Sequence, residues 1–309
     1  MQWMAIFTCV LLASCASGPQ SADSARANAP YSVPASDGSG SSALALAQLD
    51  QLWPSDTPLA PASDLAPGLL ALSPEMKHFV DGIGPGLSPK QRFRRILRTL
   101  KQDRFYLEYD LDTTATAAEA FTSRRGNCIS FAALIVVLAR EVGVPAHFNR
   151  VEAPRARRAT RGADGRVLVQ NILHINAEVS FGWSTQIIEL NFEPRSLHRH
   201  VAIADAEVQS LYLNNLAMDK ARAGRTSEAL PLLREALTLT PDSSILWNTL
   251  GYLYRQQGKL ELAELSYTQA LSLDEKNTAA KNNLKRVYAL QSQQALSLSD
   301  TANDADQES

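Results

Sequence analysis

The chain has 309 residues, 45% hydrophobic and 20% charged, the composition of a globular protein with room for two ordinary domains plus tails. A formal net charge of −2 excludes the strong overall basicity of a nucleic-acid binder. No nucleic-acid partner is expected, and any anionic partner must be met by a local patch.

From the N terminus, Met4 to Ala13 form an apolar run too short to span a bilayer and ending in small residues, as an export signal does. Leu12-Ala13-Ser14-Cys15 resembles the lipobox of bacterial lipoproteins, although the n-region Met1-Gln2-Trp3 carries no Lys or Arg. The resemblance implies a signal peptide over residues 1–14, cleavage before Cys15, and lipid (palmitate) on Cys15 as a membrane anchor. In that family Ala16, rather than Asp, after the Cys implies the outer membrane, with the chain facing the periplasm. Residues 15–64 read as a flexible linker with a short amphipathic helix at Ala43 to Leu52, broken by Pro54 to Pro61. With Cys9 leaving in the signal and Cys15 taken by lipid, Cys128 is the one remaining thiol and a disulfide within the mature chain is excluded. A free Cys is often only a small buried hydrophobe, but an unpaired thiol in an exported chain invites a chemical explanation.

A compact region is expected over 65–200. Ser88-Pro89 starts a helix running to about Lys101, with Phe93, Ile96, Leu97 and Leu100 on one face and Lys90, Arg92, Arg94, Arg95, Arg98 and Lys101 on the other. That basic face reads first as a solvated surface and second as a site for an anionic substrate or envelope polymer. Phe105 to Tyr109 predicts a short strand, Thr116 to Phe121 a helical turn, and Arg125-Gly126-Asn127 a turn into Cys128. Ile129 to Val142 is almost continuously apolar and stops at Gly143, which predicts a buried helix. Cys128 then sits at a helix N-terminus, where unpaired amides and the helix dipole stabilise a thiolate. Ala146 to Val151 predicts a strand, followed by an Arg-rich loop (Arg155, Arg157, Arg158, Arg161) ending at Gly165. His174 to Phe181 alternates, and Gly182-Trp183-Ser184 turns it into a second strand, Gln186 to Phe192, as an antiparallel hairpin.

The last third repeats itself at a period of 34 residues. Ser210 to Ser243 carries Leu216, Gly224, Ala229, Ala236 and Pro241; Ser244 to Asn277 carries Trp247, Leu250, Gly251, Tyr254, Ala263, Tyr267 and Ala270. These positions match the spacing of tetratricopeptide repeats. Leu284 and Tyr288 belong to a capping helix, giving a repeat region over 210–292, and the polar tail 297–309 is expected to be disordered.

A cysteine nucleophile needs a base to take its proton and a third group to orient that base. Cys128, His174 and a polar residue on the neighbouring strand supply those parts in that order. The segment Arg125-Gly126-Asn127-Cys128-Ile129-Ser130-Phe131, with Leu138 to Ala146, resembles the nucleophile helix of the transglutaminase-like, papain-type superfamily. His174-Ile175-Asn176-Ala177-Glu178-Val179 resembles its histidine strand, with Asn176 where an aromatic is common. The match covers about Thr113 to Pro194. It implies an α+β fold: a Cys-bearing helix packed on an antiparallel sheet, followed by the all-α tetratricopeptide solenoid. The family usually has an Asp as third member; the aligned residue is Asn191, an identity papain-type enzymes use, and Glu189 on the same strand face is the alternative.

The resemblance implies a thiol-dependent peptidase, amidase or acyl transferase acting on peptide amide bonds through Cys128, His174 and Asn191. Its partners would be a peptide or protein substrate, an envelope protein gripped by the repeats, and the membrane through lipid. The competing expectation is a non-catalytic binding or assembly lipoprotein that uses the repeats as a peptide scaffold. No cofactor or metal is implied: His198 and His200 lack carboxylate or thiol partners at ligand spacing, and no Gly-rich phosphate loop or serine elbow is present.

Overall fold

Ser73 and Ser88 each precede a proline, and each starts a helix. The computed structural model describes residue 53 and residues 68–102, 105–161, 167–189 and 198–307. The expected signal segment at 1–14, Cys15, the expected linker apart from Trp53, and Asn191 lie outside the described residues. In α1 (Pro74–Asp81) the Ser73 hydroxyl accepts from Met76 N at 3.2 Å; in α2 (Pro89–Leu100) Ser88 N donates to Gln91 Oε1 at 3.0 Å. Phe93, Ile96 and Leu100 of α2 are buried, while Lys90, Arg94, Arg95 and Arg98 stay exposed.

Strand β1 (Glu108–Tyr109) is shorter than the expected Phe105 to Tyr109, because its partner β2 (Arg125–Gly126) offers only two residues for parallel pairing. Between them, α3 (Ala117–Ser123) is capped reciprocally by Thr116 and Glu119. Helix α4 (Cys128–Glu141) follows β2 after one residue, and its side chains from Ile129 to Arg140 are all buried. A helix apolar on every side must be central, and α4 shares one core with α1, α2, α3 and the sheet. Gly143, at φ 78°, takes the left-handed conformation that ends it.

The sheet comprises β3 (Ala146–Arg161), β4 (Val167–Phe181), β5 (Ser184–Ile188) and β6 (Arg199–Ile203), ordered β5-β4-β3-β6 and antiparallel throughout. Ile175, Ala177 and Val179 alternate into the core beside α4, as the strand pattern predicts. The Arg-rich stretch departs from expectation. It is strand, not loop: after a register shift between Val151 and Ala156, residues 156–161 pair with 167–172. Val167, Val169 and Ile172 are strand formers, and pairing with them satisfies a backbone that its charges alone suggest is solvated. Strand β6 is a second departure, since the segment around His198 and His200 gave no strand signal of its own.

The remaining helices form the repeats: α5 (Asp205–Arg222) with α6 (Thr226–Leu239), α7 (Ser244–Gln256) with α8 (Leu260–Leu273), and α9 (Thr278–Gln307). Small faces large across the α7–α8 hairpin: a Cβ on Gly251 would meet the Tyr267 ring at 2.7 Å. Helix α9 continues to Gln307, past the Ser297 expected to begin a disordered tail. Helix α9 itself contains no Gly or Pro to break it. Trp53 corrects the expected free linker at one point, being buried with the Arg234 guanidinium 5.1 Å from its ring.

Helix α5 begins five residues before the first repeat and is joined to the Cys domain by side chains. Arg140, on α4, forms a two-pronged ion pair with Asp205 at 2.6 and 2.9 Å and donates twice to Ala146 O. Arg150 pairs with Glu207 at 3.0 Å and Leu69 N donates to Gln209 Oε1 at 3.1 Å. The Cys domain and the repeats therefore share one continuous core.

Candidate active site

The start of α4 is fixed from several directions at once. Asn127 is its N-cap: its Oδ1 accepts from Ser130 N at 3.2 Å, its Nδ2 donates to Thr114 Oγ1 at 3.0 Å, and its backbone N donates to Thr113 O. Ser130 Oγ in turn accepts from Ala115 N at 2.9 Å. Gly126 is required by proximity, since a Cβ there would lie 2.6 Å from Ser130 Cβ. Arg125 pairs with Asp110 at 3.0 Å, and Arg124 holds the left-handed conformation at φ 58°, a strained arrangement of the kind that collects at functional sites. Cys128 is thus held at the first turn of a helix whose leading amides have no partner within the helix.

Facing it is β4. His174 Nε2 lies 3.0 and 2.9 Å from the two carboxylate oxygens of Glu189, whose side chain is 7% exposed. Asn176 Nδ2 donates to Glu189 Oε1 at 2.8 Å and lies 3.2 Å from His200 Nδ1. Cys128 Sγ is 3.8 Å from Leu173 O. Cys128, His174 and Glu189 line one cleft with Tyr109 and Asn176; its free volume is about 20 Å3, the room of roughly one water.

Burial works against a protonated His174, but the hydrogen bonds and charges of Cys128 and Glu189 more than reverse it and raise its pKa to about 10. Burial also raises Tyr109, followed by the charge of Cys128, a hydrogen bond with its sulfur, and the charges of Glu189 and Asp110. The arrangement provides a thiol, an imidazole that keeps its proton above neutral pH, and a buried carboxylate fixing that imidazole.

Of the residues singled out in the sequence, Cys128, His174 and the alternative third member Glu189 come together, while Asn191 and Cys15 lie outside the described residues. Tyr109 and His200 were missed as site neighbours. Their placement depends on pairings over long range, Tyr109 with Gly126 and His200 with Val151: the strand expected over Phe105 to Tyr109 does not reveal its partner, and the segment around His200 gives no strand signal. Among the described residues no group of three or more His, Cys, Asp or Glu side chains could hold a metal ion.

Residues 77–185 match the model of the transglutaminase-like superfamily, and residues 207–276 match a tetratricopeptide repeat model. The chain therefore carries a transglutaminase-like domain followed by tetratricopeptide repeats. No curated protein matches it. Among solved structures it is similar to a crystal structure from Cytophaga hutchinsonii described as a candidate cysteine protease, at 17% identity and a TM-score of 0.30. That match covers 48% of this chain and 47% of the other, so the chain spans about half of its length.

Proposed function

We propose that the chain is an envelope lipoprotein whose transglutaminase-like domain cleaves or transfers peptide amide bonds, with Cys128 as nucleophile, His174 as acid and base, and Glu189 as the group that orients His174. The observation that carries this reading is the bracketing of one imidazole between a thiol at a helix start and a buried carboxylate. In the reaction, Cys128 sulfur attacks the amide carbon, and the carbonyl oxygen gathers negative charge beside the leading amides of α4. The C–N bond breaks, His174 passes its proton to the leaving amine, and a thioester remains on Cys128. Water or an amine, deprotonated by His174, then attacks the thioester and releases the thiolate. Hydrolysis or transfer follows from which of the two reaches the thioester.

In this reading lipid on Cys15 ties the chain to the outer membrane on its periplasmic side, and the repeats recruit the protein whose peptide is processed. The test combines a thiol-directed acylating probe with mass spectrometry: wild type accumulates an adduct at Cys128, and Cys128→Ala abolishes both adduct and turnover of any substrate found. Full turnover by Cys128→Ala sinks the reading. For the anchor, Cys15→Ser is expected to move the chain from the membrane to the soluble fraction, and unchanged fractionation contradicts it. A second reading, a non-catalytic scaffold that holds peptides through the repeats, draws on the narrowness of the cleft, which admits about one water as it stands. It predicts no Cys128 adduct while the full chain still captures peptide.

A further inference from the structure

Helix α2 and the residue after it present Lys90, Arg94, Arg95, Arg98 and Lys101, all exposed, within a stretch from Gly82 to Gln102 that contains no acidic residue. None of the five joins an ion pair among the described residues. Arg92 is different in kind, since its guanidinium is spent on Ile83 O and Val80 O at 3.1 and 2.7 Å. The tip of the β4–β5 hairpin lies against the start of this helix. Phe181 sits 5.3 Å from Lys90 Nζ, 5.9 Å from the Arg94 guanidinium and 6.2 Å from the Phe93 ring. Two residues on, in the Gly182-Trp183 turn, Trp183 is 108% exposed.

Isolated exposed apolar residues are ordinary, but a wholly uncovered Trp is not, because its large ring forfeits all burial. Beside five cations with no ion-pair partner among the described residues it forms the pairing found at bilayer interfaces, where indole rings settle among headgroups and Lys and Arg meet anionic lipid. A soluble polyanion would use the cations alone and leave the indole without a role. We propose that the β4–β5 tip and the cationic face of α2 form a docking surface for an anionic lipid bilayer, with Trp183 entering the headgroup zone and the five cations meeting lipid phosphates. This goes beyond lipid on Cys15: a single N-terminal anchor tethers the chain, whereas this surface orients the Cys domain against the membrane.

The test uses the full chain carrying Cys15→Ser, so that no lipid contributes, with vesicles of phosphatidylcholine alone or mixed with phosphatidylglycerol. Expected are co-sedimentation with the anionic vesicles only and a blue shift of tryptophan emission on binding. In the same background W183A loses that shift and binds several-fold more weakly, and R94Q/R95Q/R98Q binds roughly 100-fold more weakly, at about five-fold per lost charge. All four residues are exposed, and unchanged circular dichroism establishes that the variants fold. Equal binding to neutral vesicles, or W183A binding anionic vesicles as wild type does, overturns the proposal. So does binding to dextran sulfate with no vesicle binding, an outcome that assigns the cations to a soluble polyanion.

Discussion

Both carboxylate oxygens of Glu189 lie within hydrogen-bond reach of a single nitrogen, His174 Nε2, at 3.0 and 2.9 Å, and Asn176 donates to one of them at 2.8 Å. The carboxylate is therefore held before it holds the histidine. Glu189→Gln keeps the shape but removes the charge that helps keep His174 protonated. The expected result is a fall of about 10²- to 10⁴-fold in the rate of Cys128 acylation, the upper figure being the order seen when the third member of a catalytic triad loses its charge. Asn191→Ala, by contrast, should leave the rate within a few-fold. A matched set of labelling rates checks both, and a larger loss in Asn191→Ala than in Glu189→Gln would return the third position to Asn191.

The same pair sets a pH dependence with a definite sign. His174 has a folded-state pKa raised from 6.5 to about 10, burial being outweighed by the hydrogen bonds and charges of Cys128 and Glu189. A raised pKa contributes stability that is fully present below the unfolded value and is lost as pH rises through the folded one. The stability gap between wild type and His174→Gln should therefore be widest below about pH 6.5 and close as pH approaches 10. Thermal unfolding midpoints of both proteins across that window measure it. A gap that widens with rising pH contradicts the protonated ring.

Gly126 tests how tightly the nucleophile is positioned. A methyl at this position would sit 2.6 Å from Ser130 Cβ, and Ser130 is bonded both to the Asn127 cap and to Ala115 N. Backbone must yield, because neither atom is the free end of a flexible chain. Gly126→Ala is expected to cost about 1–3 kcal/mol in unfolding free energy, as overpacking does. It should slow Cys128 acylation by more than that destabilisation explains at temperatures where the variant is fully folded. Chemical denaturation and labelling on the same preparation separate the two.

Much of this arrangement is legible locally. Asn127, the apolar run and Gly143 mark the beginning, body and end of α4 and so put Cys128 at a helix start; the alternation after His174 marks β4. The long-range pairings are not. Glu108 with Arg125 is a two-residue ladder that brings Tyr109 to the sulfur, and Val151 with His200 depends on a strand, β6, that returns to β3 only after β4 and β5 have been formed. The choice between Glu189 and Asn191 was open in the sequence because both lie on one face; the structure describes only Glu189, in direct contact with His174. The extension of β3 through its arginines was hidden for a different reason. Charge argues for solvent, and only the facing Val167 to Ile172 reveals a partner for the backbone.

The Arg140–Asp205 pair tests whether the repeats and the Cys domain fold as one unit. Arg140 is 8% exposed, sits in the last turn of the nucleophile helix, and spends its guanidinium on Asp205 and on Ala146 O. Asp205 opens α5, so the carboxylate also lies where the helix dipole favours negative charge. Removing one partner strands the other in a buried site. Arg140→Met and Asp205→Leu are each expected to destabilise by about 3–5 kcal/mol, while the double variant recovers much of that loss, because a buried ion pair and an apolar pair of similar volume are close in free energy. A two-state urea transition for the double variant, between those of wild type and the single variants, is the expected measurement. Were each single variant instead to give two separate transitions with the Cys domain's midpoint unchanged, the repeats would be an independent unit and the shared core would play no part in holding α4 in place.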